Sequence, residues 1–232
     1  MAEDDQDLGL LIGNIFGWIG TVLSIYFFLA RAVPFYKLIR GQIKINDAPG
    51  VLLIFTFLNC ILWLNYGLLL DKPQMYLTNG IGSAITLVFI TIFLAYFSKQ
   101  KIYLTAIFLL CLIIIMGVIT YFSYYVIYYK YVGNGANGFN VCMYAATGEK
   151  IYRVFKTKNY NLMPIFSIIG GFLSASCWII YGSLIFDINV LIPNGLGVLF
   201  AIIQLIVYFY FYCQNKKEPK IIGTDVNDDK LI

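Results

Sequence analysis

The chain contains one pattern twice. Trp63, Tyr66, Gly67, Asn79, Gly80 and Gly82 recur 115 residues later as Trp178, Tyr181, Gly182, Asn194, Gly195 and Gly197, and Pro49 and Pro164 share the offset. Seven identities in one gapless register are not a chance pattern. Two copies of one unit must fold alike, and each must bury against the other the face it cannot cover alone. The seam between the copies is therefore the first place to look for functional residues.

Composition places the repeat in a membrane. Of 232 residues, 60% are hydrophobic and 12% charged, against about 25% charged in soluble domains. A globule of this length has no interior large enough to hide so much apolar surface. The first apolar span follows an acidic segment, Met1 to Asp7, with no basic leader and no small-residue cleavage site, so it reads as a retained span. The chain has no histidine, which excludes His-ligated metals and His-based triads. Its five cysteines are odd in number, lack CxxC spacing and lie in apolar runs, as small buried apolar residues do. No catalytic set, metal site or cofactor is expected.

A helical crossing takes about 20 apolar residues. The sequence predicts seven: Leu8–Val33, Val51–Leu70, Met75–Phe97, Ile102–Tyr125, about Tyr131–Phe155, Leu162–Phe186 and Ile188–Cys213. The fifth is the least apolar. Its start, Gly133-Asn-Gly-Ala-Asn-Gly138, reads as polar and flexible, either loop or backbone covered by protein. Fourteen of the 16 Lys and Arg fall on one side, with only Lys72 and Lys130 opposite. The positive-inside rule then puts the N-terminus outside and the C-terminus in the cytosol, and the net charge of +4 is topology, not nucleic-acid binding.

Three crossings alone would invert the second copy. The fourth helix has no repeat partner and restores orientation, so the expected fold is all-α, two parallel three-helix bundles joined by a linker helix. The corresponding organisation is an acidic N-terminus (1–7), a first repeat (8–97), the linker (98–130), a second repeat (131–213) and a polar tail (214–232).

Depth follows from helical rise. Trp63 lies about 12 Å inward of the turn at Asp71, and Asn79 about 9 Å inward of Pro73, at about 1.5 Å per residue. Each Trp and each Asn then shares one level with its copy, slightly outside the midplane. Alone, a Trp there is an interfacial anchor and an Asn is helix-packing glue; repetition at one depth argues for more. Two amides between two indoles suit a neutral polyol, because Asn offers donors and an acceptor while Trp offers a flat apolar face. Trp63, Asn79, Trp178 and Asn194 are thus the candidate substrate-binding residues. Asn59 and Ser174, one turn before each Trp, extend the polar lining or serve helix packing. Tyr66 and Tyr181 lie one turn outward, where a hydroxyl-to-carboxylate bond to Asp187 would close an outer gate. No carboxylate stands in mid-membrane, which favours passive uniport over proton symport.

At these residues the sequence resembles the SWEET sugar transporters. Lys156-Thr-Lys158, Met163-Pro164, Trp178-Ile-Ile-Tyr-Gly182, Asp187, Pro193-Asn-Gly195 and Gln204 stand in that family's order, as do Leu58-Asn-Cys60, Trp63-Leu-Asn-Tyr66 and Asn79-Gly80. The resemblance implies facilitated diffusion of mono- or disaccharides by alternating access and a homo-oligomer in the bilayer. It implies Asn79 and Asn194 as hydrogen-bonding residues, Trp63 and Trp178 as pocket walls, and Tyr66, Tyr181 and Asp187 as the outer gate. Family prolines that hinge the inner gate fall here on Arg31 and Thr147. That leaves Pro34, Pro49 and Pro164 as candidate hinges, with an Arg31–Glu149 ion pair as a further expectation for the inner gate.

The rival readings are a related PQ-loop-type carrier of another small solute such as an amino acid, and a non-transporting seven-helix receptor. The first would want charges that the pocket lacks; the second would not require paired Trp and Asn. An enzyme is not expected. The membrane is expected to be the plasma membrane or an endomembrane such as the Golgi.

Overall fold

The computed structural model describes residues 2–42, 50–98, 102–125 and 129–217. All regular structure in them is helical: α1 (Ala2–Ala30), α2 (Ala32–Ile39), α3 (Gly50–Leu69), α4 (Pro73–Ser98), α5 (Ile102–Tyr125), α6 (Tyr129–Thr157), a single 3₁₀ turn (Tyr160–Leu162), α7 (Ile165–Leu184) and α8 (Ile188–Lys217). α1 and α2 form one bent span. Pro34 sits in the first turn of α2, where it can offer no N–H to the Ala30 carbonyl four residues back, and the helix breaks at Arg31 between them. Counting that pair once gives seven membrane-length units among the described residues.

Five units meet both length and hydropathy for a crossing: Asp7–Ile39, Leu52–Leu69, Pro73–Tyr96, Ile165–Leu184 and Ile188–Lys216. α5 contributes a shorter apolar run, Leu110–Tyr125. α6 falls short because its Asn and Gly residues interrupt the apolar run, although its 29 residues are ample in length. Exposed apolar side chains such as Leu11, Ile15 and Val22 of α1 and Ile202, Ile206 and Phe209 of α8 form the outward faces. A surface of that kind is stable against lipid and not against water.

Within the first unit, α4 packs against both α1 and α3. In the second, α8 packs in the same way against α6 and α7. Between units, α1 lies along α7 and α3 along α6. Exchanging the copies turns one of those contacts into the other, so the two bundles are related by a pseudo-two-fold axis. α5 lies against α3 and α4, on the flank of the first bundle.

The repeat reaches the backbone. α3 and α7 end in the same Schellman turn: Lys72 N–H bonds Gly67 O at 2.8 Å and Asp187 N–H bonds Gly182 O at 2.9 Å. Asp71 (φ 50°) and Phe186 (φ 54°) take the left-handed position, although neither is glycine. Such a residue costs on the order of 1–2 kcal/mol, and both copies bear it. Gly67 and Gly182 make the corner tight. A Cβ on Gly67 would stand 2.7 Å from the Tyr76 amide nitrogen, and one on Gly182 would stand 3.0 Å from Val190.

Several expected boundaries move. Gly133 to Gly138 is helical throughout, inside α6, and so is not a loop; the reason is a close approach described below. α7 begins at Ile165, later than Leu162, because Pro164 occupies its N-cap with extended backbone (φ −62°, ψ 116°). α8 continues past Cys213 to Lys217, so the first four residues assigned to the polar tail are helical.

Candidate functional site

At the end of the bundles formed by the α3–α4 and α7–α8 turns, two clusters exchange under the pseudo-symmetry. In one, Tyr66 of α3 reaches across to the head of α8. Its hydroxyl donates toward Asp187, 3.1 and 3.0 Å from the two carboxylate oxygens, and accepts from Asn189 Nδ2 at 3.1 Å. Asn189 N–H in turn donates to Asp187 Oδ1 at 2.9 Å, which fixes the carboxylate. Asn189 Oδ1 accepts from Asn137 of α6 at 3.1 Å. Four groups from three helices are therefore tied together.

The second cluster is its weaker image. Tyr181 of α7 lies 3.5 Å from Gln74 Oε1 of α4, at the outer limit of a hydrogen bond. Gln74 Nε2 donates to Asn14 of α1 at 3.0 Å. Gln74 is the counterpart of Asn189, 115 residues earlier, and Lys72 is the counterpart of Asp187. Tyr181 was expected to join Asp187, yet among the described residues its hydroxyl bonds Gln74 instead. The exchange of copies that aims Tyr66 at α8 aims Tyr181 at α4.

Both clusters need a glycine. A Cβ on Gly133 would stand 2.8 Å from Asn189 Nδ2 and 2.9 Å from Tyr66 Cε2. A Cβ on Gly17 would stand 2.8 Å from Tyr181 Cδ2 and 3.0 Å from Gln74 Cγ. These two glycines are 116 apart, not 115. The first helix of each copy is thus offset by one residue from the rest of the repeat. Gly133 is part of the polar run that reads as flexible; in fact it lets helix α6 approach the Tyr66 ring.

Below the clusters, Trp63, Tyr66, Trp178 and Tyr181 pack with Met75, Val132, Ala136 and Val190 as one buried core. Each Tyr ring stands edge-on to its Trp, at 5.5 Å in the first copy and 5.4 Å in the second. Tyr66 is 2% exposed and Tyr181 0%, so both rings are fully buried beneath the two turns. Trp178 Nε1 donates to Ser24 Oγ at 3.0 Å, and Ser24 and Ser174 hydroxyls are 2.9 Å apart. The mirror position joins Asn59 Nδ2 to Asn140 Oδ1 at 3.2 Å. Asn59 and Ser174 thus both bridge to the first helix of the other copy.

Asn79 and Asn194 are half-buried in matching geometry. Asn79 Nδ2 donates to Met75 O at 2.9 Å, and Asn194 Nδ2 to Val190 O at 2.7 Å. Each bond uses one of the amide's two N–H donors and none of its oxygen lone pairs. The side-chain oxygens of Asn59, Asn137 and Asn65 are buried without a hydrogen-bond partner among the described residues, the first two along the seam and Asn65 on the side whose amide bonds Thr120 of α5. Unpaired buried acceptors cost about 1–3 kcal/mol each, so this seam favours a ligand that brings donors.

At the other end, Arg31 Nη1 donates to Thr56 Oγ1 at 3.1 Å, and the guanidinium lies over the rings of Phe27 and Phe28 at 5.4 and 5.5 Å. The expected ion pair with Glu149 is not made. Glu149 pairs with Arg153 at 3.2 Å, one turn along the exposed face of α6, where neither partner has to be desolvated. Pro34 lies in α2, just beyond the break, and Pro164 caps α7; Pro49 lies outside the described residues. Gly82 and Gly197 are packing positions. A Cβ there would meet the Phe28 ring at 2.5 Å and the Tyr144 hydroxyl at 3.0 Å.

Sequence reasoning missed Gly17, Ser24, Gln74, Gly133, Asn137, Asn140 and Asn189. A signal for some of them was available at the second offset. Gly17 with Gly133 and Ser24 with Asn140 stand 116 apart.

Comparison with known proteins shows the same division. The family model of a sugar efflux transporter for intercellular exchange matches residues 14–101 and again residues 130–217. The chain is similar to the bidirectional sugar transporter SWEET7b of Oryza sativa subsp. indica, with 33% identity over 219 residues, 90% of this chain and 82% of that protein. It is similar also to bidirectional sugar transporter SWEET8 of Arabidopsis thaliana, with 34% identity over 224 residues, 91% of this chain and 93% of that one. A solved structure of a eukaryotic SWEET transporter superposes with a TM-score of 0.77 at 22% identity, over 89% of this chain and 99% of its own. At that identity the likeness speaks for the fold alone.

Proposed function

This chain belongs to the SWEET family of sugar transporters, and from that premise we propose that it carries mono- or disaccharides across a membrane by facilitative, bidirectional uniport, without enzymatic chemistry. The observation that carries the site assignment is the seam of unsatisfied amides between the bundles. Asn79 and Asn194 keep free donor and acceptor capacity at equivalent positions, and Asn59 and Asn137 hold buried oxygens without partners. Sugar hydroxyls donate and accept, and the Trp63 and Trp178 faces suit the C–H face of a ring.

In this reading Trp63, Asn79, Trp178 and Asn194 hold the sugar, with Asn59 and Ser174 on the lining. Tyr66 and Asp187 close the outer gate, and Tyr181 backs it through Gln74. With that gate shut, the pathway opens toward the opposite end, where the Pro34 break and the Pro164 cap give α1/α2 and α7 places to bend. The basic residues support an orientation with the N-terminus outside and the C-terminus cytosolic. A plasma-membrane location and assembly with further copies of the chain complete the proposal.

Uptake of labelled glucose and sucrose in transport-deficient cells tests it. Wild type should carry at least one of the two independently of a pH gradient, and Asn79→Ala and Asn194→Ala should each reduce that flux at equal surface expression. Flux that survives both substitutions would sink the site assignment, and flux driven by a proton gradient would sink uniport.

A further inference from the structure

The mechanism above makes no use of Arg31, although a cation inside a span is costly and tends to mark a pathway. Its neighbours do not neutralise it. Thr56 gives one hydroxyl, whose own proton goes to Leu52 O at 2.8 Å, so the oxygen accepts from Arg31 Nη1 at 3.1 Å. Phe27 and Phe28 give ring faces. Guanidinium carries five N–H donors, and one is engaged among the described residues. Glu149 is committed to Arg153 on the exposed face of α6. The next residue, Lys150, lies within electrostatic reach of both Arg31 and Glu149.

Position gives the excess charge a role. Arg31 follows Ser24 by seven residues, two helical turns, so both project from one face of the α1 span about 10 Å apart. Ser24 bonds Ser174 and Trp178 at the proposed pocket. Thr56 precedes Asn59 by three residues, on the Asn59 side of α3. The guanidinium therefore stands beyond the sugar residues, away from the Tyr66–Asp187 gate and on faces that line the seam. The counterpart of Arg31 in the second copy, 116 residues on, is Thr147, so the charge is present once.

We propose that Arg31 forms an anion subsite at the inner end of the sugar pathway and takes a phosphate-class oxyanion, either free in the cytosol or as the ester group of a phosphorylated sugar. A planar guanidinium matches such an oxyanion through two parallel N–H bonds. The inference rests on the reading that sugar passes between the bundles.

Thermal unfolding of the purified full chain in neutral detergent tests it, with inorganic phosphate set against chloride at equal ionic strength. Wild type should show a saturable rise in Tm with phosphate, which at ten times Kd corresponds to a gain of about 11-fold in folded over unfolded protein. Arg31→Lys should keep part of the rise and Arg31→Gln should lose it. No rise in wild type, or an equal rise in Arg31→Gln, overturns the subsite. Glucose 6-phosphate then identifies the source: tighter binding than inorganic phosphate assigns the subsite to a substrate ester, and equal binding assigns it to the free anion. Asn194→Ala separates this inference from the pocket reading. It should lose sugar flux yet keep the phosphate shift; retained flux would count against the pocket, and a lost shift would count against the subsite.

Discussion

Removing one oxygen from Tyr66 should open the outer end of this carrier. Tyr66→Phe keeps the ring that stands edge-on to Trp63 and deletes only the hydroxyl that ties α3 to Asp187 and Asn189. A hydrogen bond to a charged group contributes about 1.5–3 kcal/mol net. The bond can exist only while the outer end is shut, so its loss acts on the closed state alone. Taking about 2 kcal/mol, the open-to-closed ratio rises about 30-fold. The assay is thiol labelling. The five native cysteines are replaced and a single cysteine is placed at Ala136, which is 0% exposed in the core beneath the gate. A membrane-impermeant maleimide is then added from outside. Labelling proceeds through the open form, so its rate follows that population while opening and closing stay fast relative to labelling. Tyr66→Phe should therefore label about 30 times faster than the parent on the same ratio, and Asp187→Asn should also label faster. Rates within threefold of the parent in both variants would refute the gate.

The remaining outcomes come from the same geometry. Tyr181→Phe should raise labelling by less than a tenth of the Tyr66→Phe effect, because its 3.5 Å contact with Gln74 is long and neutral. Gly133→Ala should lower the Tm, at an overpacking cost of about 1–3 kcal/mol, because the new Cβ meets Asn189 and Tyr66; Gly17→Ala should do the same through Tyr181 and Gln74. Gly138→Ala, five residues along the same helix, should raise it, with a gain in stability of about 1 kcal/mol, because open space surrounds that position. A Tm drop in Gly138→Ala as large as that in Gly133→Ala would show that α6 tolerates no added methyl along its length, and that the Gly133 loss is not specific to the Tyr66 approach.

Much of this was legible in the sequence. The 115-residue register located α3, α4, α7 and α8 and paired their Trp, Tyr and Asn residues, and it extends to the Schellman turns at Asp71 and Phe186. The first helix of each copy was not legible in the same way, because one residue fewer separates it from the rest in the second copy. At offset 116, Gly17 and Gly133 serve one purpose, the admission of a Tyr ring. A search fixed at 115 cannot see that, and composition misleads, since Gly and Asn are turn residues in water. Buried between helices, the same glycines permit close approach and the same amides bond across the seam. The Arg31–Glu149 pair failed for another reason. Sequence separation is silent on which face of α6 a carboxylate takes, and Arg153, one turn away, offers Glu149 a partner in its exposed position.

The pseudo-symmetry also sorts structural from functional positions. Where the copies must pack alike, they keep the same residue or the same contact: Gly82 with Gly197, Gly67 with Gly182, Gly17 with Gly133. Some of the positions where they differ bear on the proposed site and change chemistry without changing the fold. Lys72 is replaced by Asp187, and only the second supports a charged clasp. Ser24 is replaced by Asn140, so one wall presents hydroxyls and the other amides. Arg31 is replaced by Thr147, so one end carries charge on one side only. A strictly two-fold carrier would hold its two outer contacts with equal strength and would present a sugar with the same groups on both sides. In the proposed reading these departures, none of them in the packing glycines, give this one a single strong gate, an oriented pocket and a one-sided inner end. A sugar without two-fold symmetry can be bound in one preferred orientation only by a site that has lost that symmetry too.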